Sequence, residues 1–224
     1  MIELEHHDDV WLVQMHSGEN RFNRQMVTEL NKALDTVEAV NGPAALVTTG
    51  EGKFYSNGVD LDWLATRGEN AAAFLDDVHR LLGRILGFPA ITVAALNGHA
   101  FAAGAMFASA HDFIVMRQDR GYWCLPEVDL GLSLTPAMHA MVATNLPRVT
   151  LHEAFVTGRR YSAPEAVKAG IAHEAAAEGD VVARAIQLAS ELASKDRRVV
   201  AEHKRLTHEN ALRLCDGSPS EGRP

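Results

Sequence analysis

Cys124 and Cys215 are the only cysteines in this 224-residue chain. Two are too few for a disulfide framework, so a reducing compartment is expected, with ordinary packing as the role of both thiols. Positive charge is also scarce: 21 Lys+Arg stand against 29 Asp+Glu, a formal net charge of -8. That excludes a general nucleic-acid binder, which needs a basic face to displace counterions, while a local basic pocket stays open. No apolar run approaches the ~20 residues of a membrane span. The most apolar window, Ala90 to Ala110, is interrupted by Asn97, Gly98, His99 and Gly104. The segment from Met1 to Asp9 is acidic where a signal peptide is basic and then apolar. The final Gly222-Arg223-Pro224 is not the Ser-Lys-Leu address. A cytoplasmic protein that meets neither membrane nor nucleic acid is expected.

What is present is enough apolar material, 47% of the chain, for one sizeable core. Val10 to Met15 reads as a strand, and Asn23 as the N-cap of a helix that places Met26, Leu30, Ala33, Leu34 and Val37 on one face. Ala44 to Thr48 reads as a buried strand of a parallel sheet. A glycine-containing loop through Tyr55, Ser56, Asn57 and Gly58 then leads to a helix start within Val59 to Leu64. Ala71 to Leu86 forms an amphipathic helix ended by Pro89, followed by a strand over Ala90 to Leu96, a loop at Asn97 to His99, a helix over Phe101 to Ala110 and a strand over Phe113 to Met116. Such alternation implies an α/β fold with crossover connections. Beyond Pro126 the pattern turns helical: 138–146, 152–157, 164–169 and 181–214. A seam near Pro147 divides a core, 1–146, from a helical region, 147–216, and residues 217–224 read as a frayed tail.

Two segments place small residues between a buried strand and a helix: Tyr55-Ser-Asn-Gly-Val-Asp-Leu61 and Asn97-Gly-His-Ala-Phe-Ala-Ala-Gly-Ala105. Helix N-termini carry unpaired N–H donors and partial positive charge, so two such ends facing each other would make an oxyanion hole. Routine glycine turns of an α/β domain would look the same. Neither segment matches a phosphate-cradling G-x-x-x-x-G-K-[ST] loop or a dinucleotide-binding G-x-G-x-x-G turn.

Phe54 to Leu61 resembles the F-x-[SA]-x-G-x-D-[LI] loop of the crotonase, or enoyl-CoA hydratase and isomerase, superfamily, and Ile91 to Gly104 resembles its second oxyanion loop. Leu125-Pro-Glu-Val-Asp-Leu-Gly-Leu132 resembles the family's P-E-x-x-L-G segment, and Thr157 to Gly170 its downstream helical signature. The four matches run in family order over nearly the whole chain. The resemblance implies an α/β crotonase spiral of ββα repeats with a C-terminal helical trimerisation region. The partner it implies is an acyl-CoA thioester, with assembly as a homotrimer or a hexamer built as a dimer of trimers. Glu127 falls on the family's catalytic glutamate, and the backbone N–H groups of Val59 and Ala103 fall on its oxyanion donors. Asn57, Gly58, Val59, Asp60 and Leu61, with Ala103 and Gly104, would line the substrate and coenzyme A path. No cofactor is implied, coenzyme A being part of the substrate.

Hydratases of the family commonly use two glutamates, and the first would fall at Met106, whose thioether moves no proton at neutral pH. One carboxylate is instead the pattern of Δ3,Δ2-enoyl-CoA isomerases, in which a single base takes a proton from C2 and returns it at C4 of one delocalised dienolate. The wording Glu127-Val-Asp-Leu-Gly-Leu-Ser-Leu134 and the run from His111 to Gly121 are similar to monofunctional isomerases of the plant peroxisomal kind. Dienoyl-CoA isomerases need carboxylates where this chain has Met106 and Thr135. Apolar neighbours such as Met106, Leu132 and Leu134 should make Glu127 a stronger base. A hydratase or thioesterase borrowing Asp129, and a non-catalytic acyl-CoA binder, are the alternatives. Asp129 otherwise reads as a structural hydrogen-bonding residue, Asp60 as a helix cap, and Lys204 and Arg205 as a solvated helix face. His99 and His111 lack partners at metal-ligand spacing, so no metal is expected.

Overall fold

Six strands form the larger sheet in a computed structural model of the chain, which describes residues 1–66, 68 and 70–217. They are β1 (Ile2–His7), β2 (Val10–Met15), β3 (Ala45–Gly50), β5 (Ile91–Leu96), β7 (Phe113–Arg117) and β9 (Glu174–Ala176), side by side in that order. β1 pairs antiparallel with β2, and every other neighbouring pair is parallel. A smaller parallel sheet holds β4 (Phe54–Ser56), β6 (His99–Phe101) and β8 (Trp123–Cys124). After β1 and β2, which both join the large sheet, the repeats that start at β3, β5 and β7 each send their first strand to the large sheet and their second to the small one, which is the expected α/β crotonase spiral of ββα units.

The helices follow from the same periodicities. α1 (Arg24–Glu38) begins at Asn23, whose side chain accepts from the Met26 N–H, and it buries the predicted face from Met26 to Val37. α3 (Asn70–Leu86) buries Phe74, Val78, Leu81, Leu82 and Ile85 in the same core. The opposite face of the sheet is covered by α8 (Val181–Leu192), which sets Val181, Ala185 and Ala189 against Val47, Val93 and Val115. Alanines spaced by four let that helix lie close to the strands. Residues beyond the predicted seam thus supply both β9 and a covering helix to the large sheet.

Several local expectations change. The loop through Tyr55 contains β4, and the loop at His99 contains β6. The helical run 181–214 is three helices, α8, α9 (Arg197–Thr207) and α10 (Glu209–Cys215). The tail expected at 217–224 lies, Gly217 apart, outside the described residues. Among the described residues no helix is long and apolar enough to cross a membrane.

Lys204 is not on a solvated face. It is 7% exposed, its Nζ donating to the Ala90 carbonyl at 2.7 Å and pairing with Asp112 Oδ2 at 2.7 Å. The same oxygen accepts from the N–H and hydroxyl of Thr92. Burial pushes the Lys204 ammonium below the usual lysine range, against the opposing pull of Asp112. Losing the cation leaves a carboxylate in a cage built for a charge pair. Lys204→Met is expected to lower the unfolding free energy by about 3 kcal/mol, read from urea denaturation midpoints.

His111 is a satisfied core histidine. Its Nδ1 lies 2.8 Å from the Phe107 carbonyl and its Nε2 2.9 Å from the Thr48 hydroxyl, which in turn meets Tyr55. Burial drops its pKa to about 3, so it is a neutral hydrogen-bonding group.

Candidate active site

The three strands of the small sheet run parallel, so their C-terminal ends share one edge. Ligands gather at such edges, because the chain leaves the sheet there and turns into loops and helix starts. Asn57 to Asp60 follow β4 and lead into α2 (Leu61–Ala65). Ala102 follows β6 and leads into α4 (Ala103–Ser109). Leu125 follows β8 and leads into a single 3-10 turn, Pro126–Val128, that carries Glu127. Strand pairing thus brings together three segments far apart in sequence.

The first two segments touch. A Cβ added at Gly58 would lie 3.1 Å from the Ala103 nitrogen and 2.9 Å from the Ala102 Cβ, and one at Gly104 would lie 2.3 Å from the Ser56 carbonyl oxygen. Gly58 also has φ +80, a conformation costly for any residue with a Cβ. Ala102 pays that cost, at φ 51 and ψ -129, immediately before the first residue of α4. Its own N–H is held by the Cys124 carbonyl at 3.1 Å, which ties the second segment to the third. Asp60 caps α2 as expected, accepting from the Trp63 N–H at 3.0 Å. The Ser56 hydroxyl donates to the Asn20 carbonyl and the Asn57 side chain to Glu19, bracing the first segment from behind. Among the described residues, the Val59 and Ala103 N–H groups donate to no protein acceptor.

A cleft of about 600 Å³ opens here, and its walls include Asn57, Val59, Leu61, Ala103, Met106 and Glu127. Of the other residues expected to line it, Gly58, Asp60 and Gly104 lie behind the wall. Leu132 and Leu134 line the same cleft as Glu127. Among the described residues, Glu127 Oε2 is buried without a hydrogen-bond partner. Burial raises the Glu127 pKa, only partly opposed by a hydrogen bond from its own backbone. Asp129 is exposed, caps the 3-10 turn and faces Gly158 outside the cleft. Among the described residues, the other cleft-lining carboxylate is Asp62, 96% exposed at its side chain and 3.5 Å from Arg21.

Sequence reasoning did not anticipate Arg21, Phe101, Ser133 or Met138 in the wall. Arg21 stands in the turn between β2 and α1, where an isolated basic residue carries no signal. A second, larger cavity of about 850 Å³ shares Glu127, Leu132, Ser133, Leu134 and Thr135 with the cleft and continues over Leu151 and Phe155. Among the described residues no group of three His, Cys, Asp or Glu side chains could hold a metal ion.

An unpartnered buried carboxylate also costs stability. With its folded pKa above the ordinary 4.5, Glu127 holds its proton more tightly folded than unfolded, so the protein loses stability as pH rises through the window above 4.5. Glu127→Gln is therefore expected to unfold at a higher temperature than wild type at neutral pH. The difference should vanish below pH 4.5, as thermal melts across pH will show.

Residues 5–214 match the family model described as enoyl-CoA hydratase/isomerase. Enoyl-CoA delta isomerase 2, peroxisomal, of Arabidopsis thaliana is 34% identical over 206 residues, covering 87% of this chain and 86% of the relative. Enoyl-CoA delta isomerase 3 of the same plant is 33% identical over 228 aligned residues, covering 96% of this chain and 95% of the relative. Among solved structures, the apo enoyl-CoA isomerase of Mycobacterium tuberculosis superposes with a TM-score of 0.88 at 28% identity, over 96% of this chain and 94% of that one.

Proposed function

Since the chain belongs to the enoyl-CoA hydratase/isomerase family, we propose that it is a Δ3,Δ2-enoyl-CoA isomerase, converting a 3-enoyl-CoA to the 2-trans-enoyl-CoA with Glu127 as its one base. The observation that carries this reading is the Glu127 carboxylate, one oxygen of which is buried and unpartnered among the described residues, whereas Asp62 in the same cleft is exposed and faces Arg21. It takes a proton from C2 of the bound thioester. The electron pair moves into the C1–C2 bond and onto the thioester oxygen, giving a dienolate in conjugation with the C3–C4 double bond. The Val59 and Ala103 N–H groups receive the negative charge on the thioester oxygen, each such donor being worth about 3 kcal/mol in the transition state. Glu127 then returns the proton at C4, leaving the double bond between C2 and C3.

Hydration would need a second acid or base to manage the water. Met106 stands where the family's other glutamate would be, and exposed Asp62 is held by Arg21. The Arabidopsis relatives bear isomerase names, which also supports the reading. Assembly as a homotrimer, alone or paired into a hexamer, is supported by exposed apolar side chains at Leu130, Leu132, Val149 and Val156. The test offers 3-enoyl-CoA and 2-enoyl-CoA to the protein separately while following the absorbance of the conjugated thioester. Growth with the first and no loss with the second is expected; hydration of the second at a comparable rate would sink the isomerase reading.

A further inference from the structure

Thr135 lies on the wall shared by the cleft and the second cavity, as does Glu127. It is also the N-cap of α5 (Pro136–Asn145), its hydroxyl oxygen accepting from the Met138 N–H at 3.2 Å. The same oxygen lies 3.0 Å from Nε2 of His79, a 9% exposed residue of α3, and His79 Nδ1 lies 3.7 Å from Asp76 Oδ1. An acid, an imidazole and a hydroxyl thus lead from the surface to the cleft. A threonine hydroxyl has one proton and two lone pairs, so the direction of its bond to His79 decides what it offers a ligand.

A carboxylate only accepts, so a lone pair of Nδ1 facing Asp76 would be repelled and a proton there attracted. The imidazole is held neutral by burial, which outweighs Asp76. With its single proton on Nδ1, Nε2 is an acceptor, and the proton between His79 and Thr135 must come from threonine. The oxygen then has one lone pair for Met138 and one left for the cleft. We propose that Asp76 and His79 are positioning residues: they turn the Thr135 hydroxyl so that its proton faces the imidazole and its oxygen faces the cleft that holds Glu127. The inference rests on Glu127 being the base. Its consequence is that the negative end of the hydroxyl dipole points into the cleft that also holds Glu127. Thr135 then gives the cleft no proton that would stabilise the Glu127 anion.

The other charged and titratable groups around the relay are few. Arg80 acts on His79 from the same helix, opposing protonation. Arg21 and Asp62 share the cleft with Glu127, His139, Arg148 and His152 line the second cavity, and the buried Cys124 thiol lies on β8. Among the described residues, the side chain hydrogen-bonded to the Thr135 hydroxyl is that of His79.

The test is the acid limb of the pH profile of kcat/KM for isomerisation of a 3-enoyl-CoA, which reports deprotonation of the base in the free enzyme. In His79→Leu the Thr135 proton loses its acceptor and turns to the carboxylate, so the limb should move to lower pH. Adding Thr135→Val removes that donor, and the limb should move back up. Circular dichroism establishes that each variant is folded. If His79→Leu does not fold, Asp76→Asn, at a position 62% exposed, removes the bias on Nδ1 and should shift the limb in the same direction by less. A limb that stays put, or one that shifts without being restored by Thr135→Val, overturns the relay. An active Glu127→Gln enzyme would instead overturn the assignment of the base, and the relay with it.

Discussion

Glu127→Gln is expected to lower kcat for isomerisation about 10³-fold, the scale on which a positioned acid or base acts, with KM nearly unchanged. Glutamine keeps the length and shape of the side chain, and the coenzyme A moiety would meet backbone at Asn57 to Leu61 rather than residue 127. What is lost is the ability to take up a proton. The carboxylate suits that role because it combines burial with isolation: its Oε2 has no partner, and burial raises its pKa. The environment that makes Glu127 basic also makes it costly to the fold, so the inactive variant should be the more stable one. Loss of activity together with a gain in melting temperature separates removal of the base from damage to the cleft. A variant retaining most of its activity would move the chemistry to another group.

Gly58→Ala is expected to lower kcat about 10²-fold, the loss that follows from displacing one oxyanion donor. The added methyl would sit 2.9 Å from the Ala102 Cβ and 3.1 Å from the Ala103 nitrogen, forcing apart the two segments proposed to supply the oxyanion N–H groups. It would also strain a backbone at φ +80 by about 1 kcal/mol. Gly52 supplies the control: it has φ +70 and nothing within 4 Å of an added Cβ. Gly52→Ala bears the same kind of backbone strain without the contact, so its kcat should match wild type. Steady-state kinetics at saturating substrate on both variants distinguishes the clash from the strain. Equal losses in the two would mean that backbone strain, not donor separation, governs the rate.

Much of the fold was legible because β2, β3, β5 and β7 are buried apolar runs bounded by turn residues, and α1 and α3 carry clear helical stripes. The small sheet was not, because β4, β6 and β8 are two or three residues long and glycine-flanked, too short for a period to register. Yet those strands bring the site segments to a common edge, so the site was read from family motifs and its geometry was not. β1 escaped notice because its exposed Glu and His residues hide an edge strand's alternation. Lys204 was misread because a lone lysine on a polar helix looks solvated; only its partners Asp112 and Ala90, remote in sequence, bury it. His79 lies among the apolar positions of α3, where one polar residue gives no hint of the hydroxyl it meets.

Transfer of a proton from C2 to C4 by one carboxylate within a sheltered cleft is the proposed step on which the reaction depends. It is tested most directly by supplying a 3-enoyl-CoA deuterated at C2, in ordinary water, and locating the label in the 2-enoyl-CoA formed at partial conversion. Glu127 acting alone predicts that part of the deuterium removed from C2 reappears at C4, and that Glu127→Gln forms no such product. Complete exchange of that deuterium with solvent, or a product bearing a hydroxyl at C3, would contradict the account.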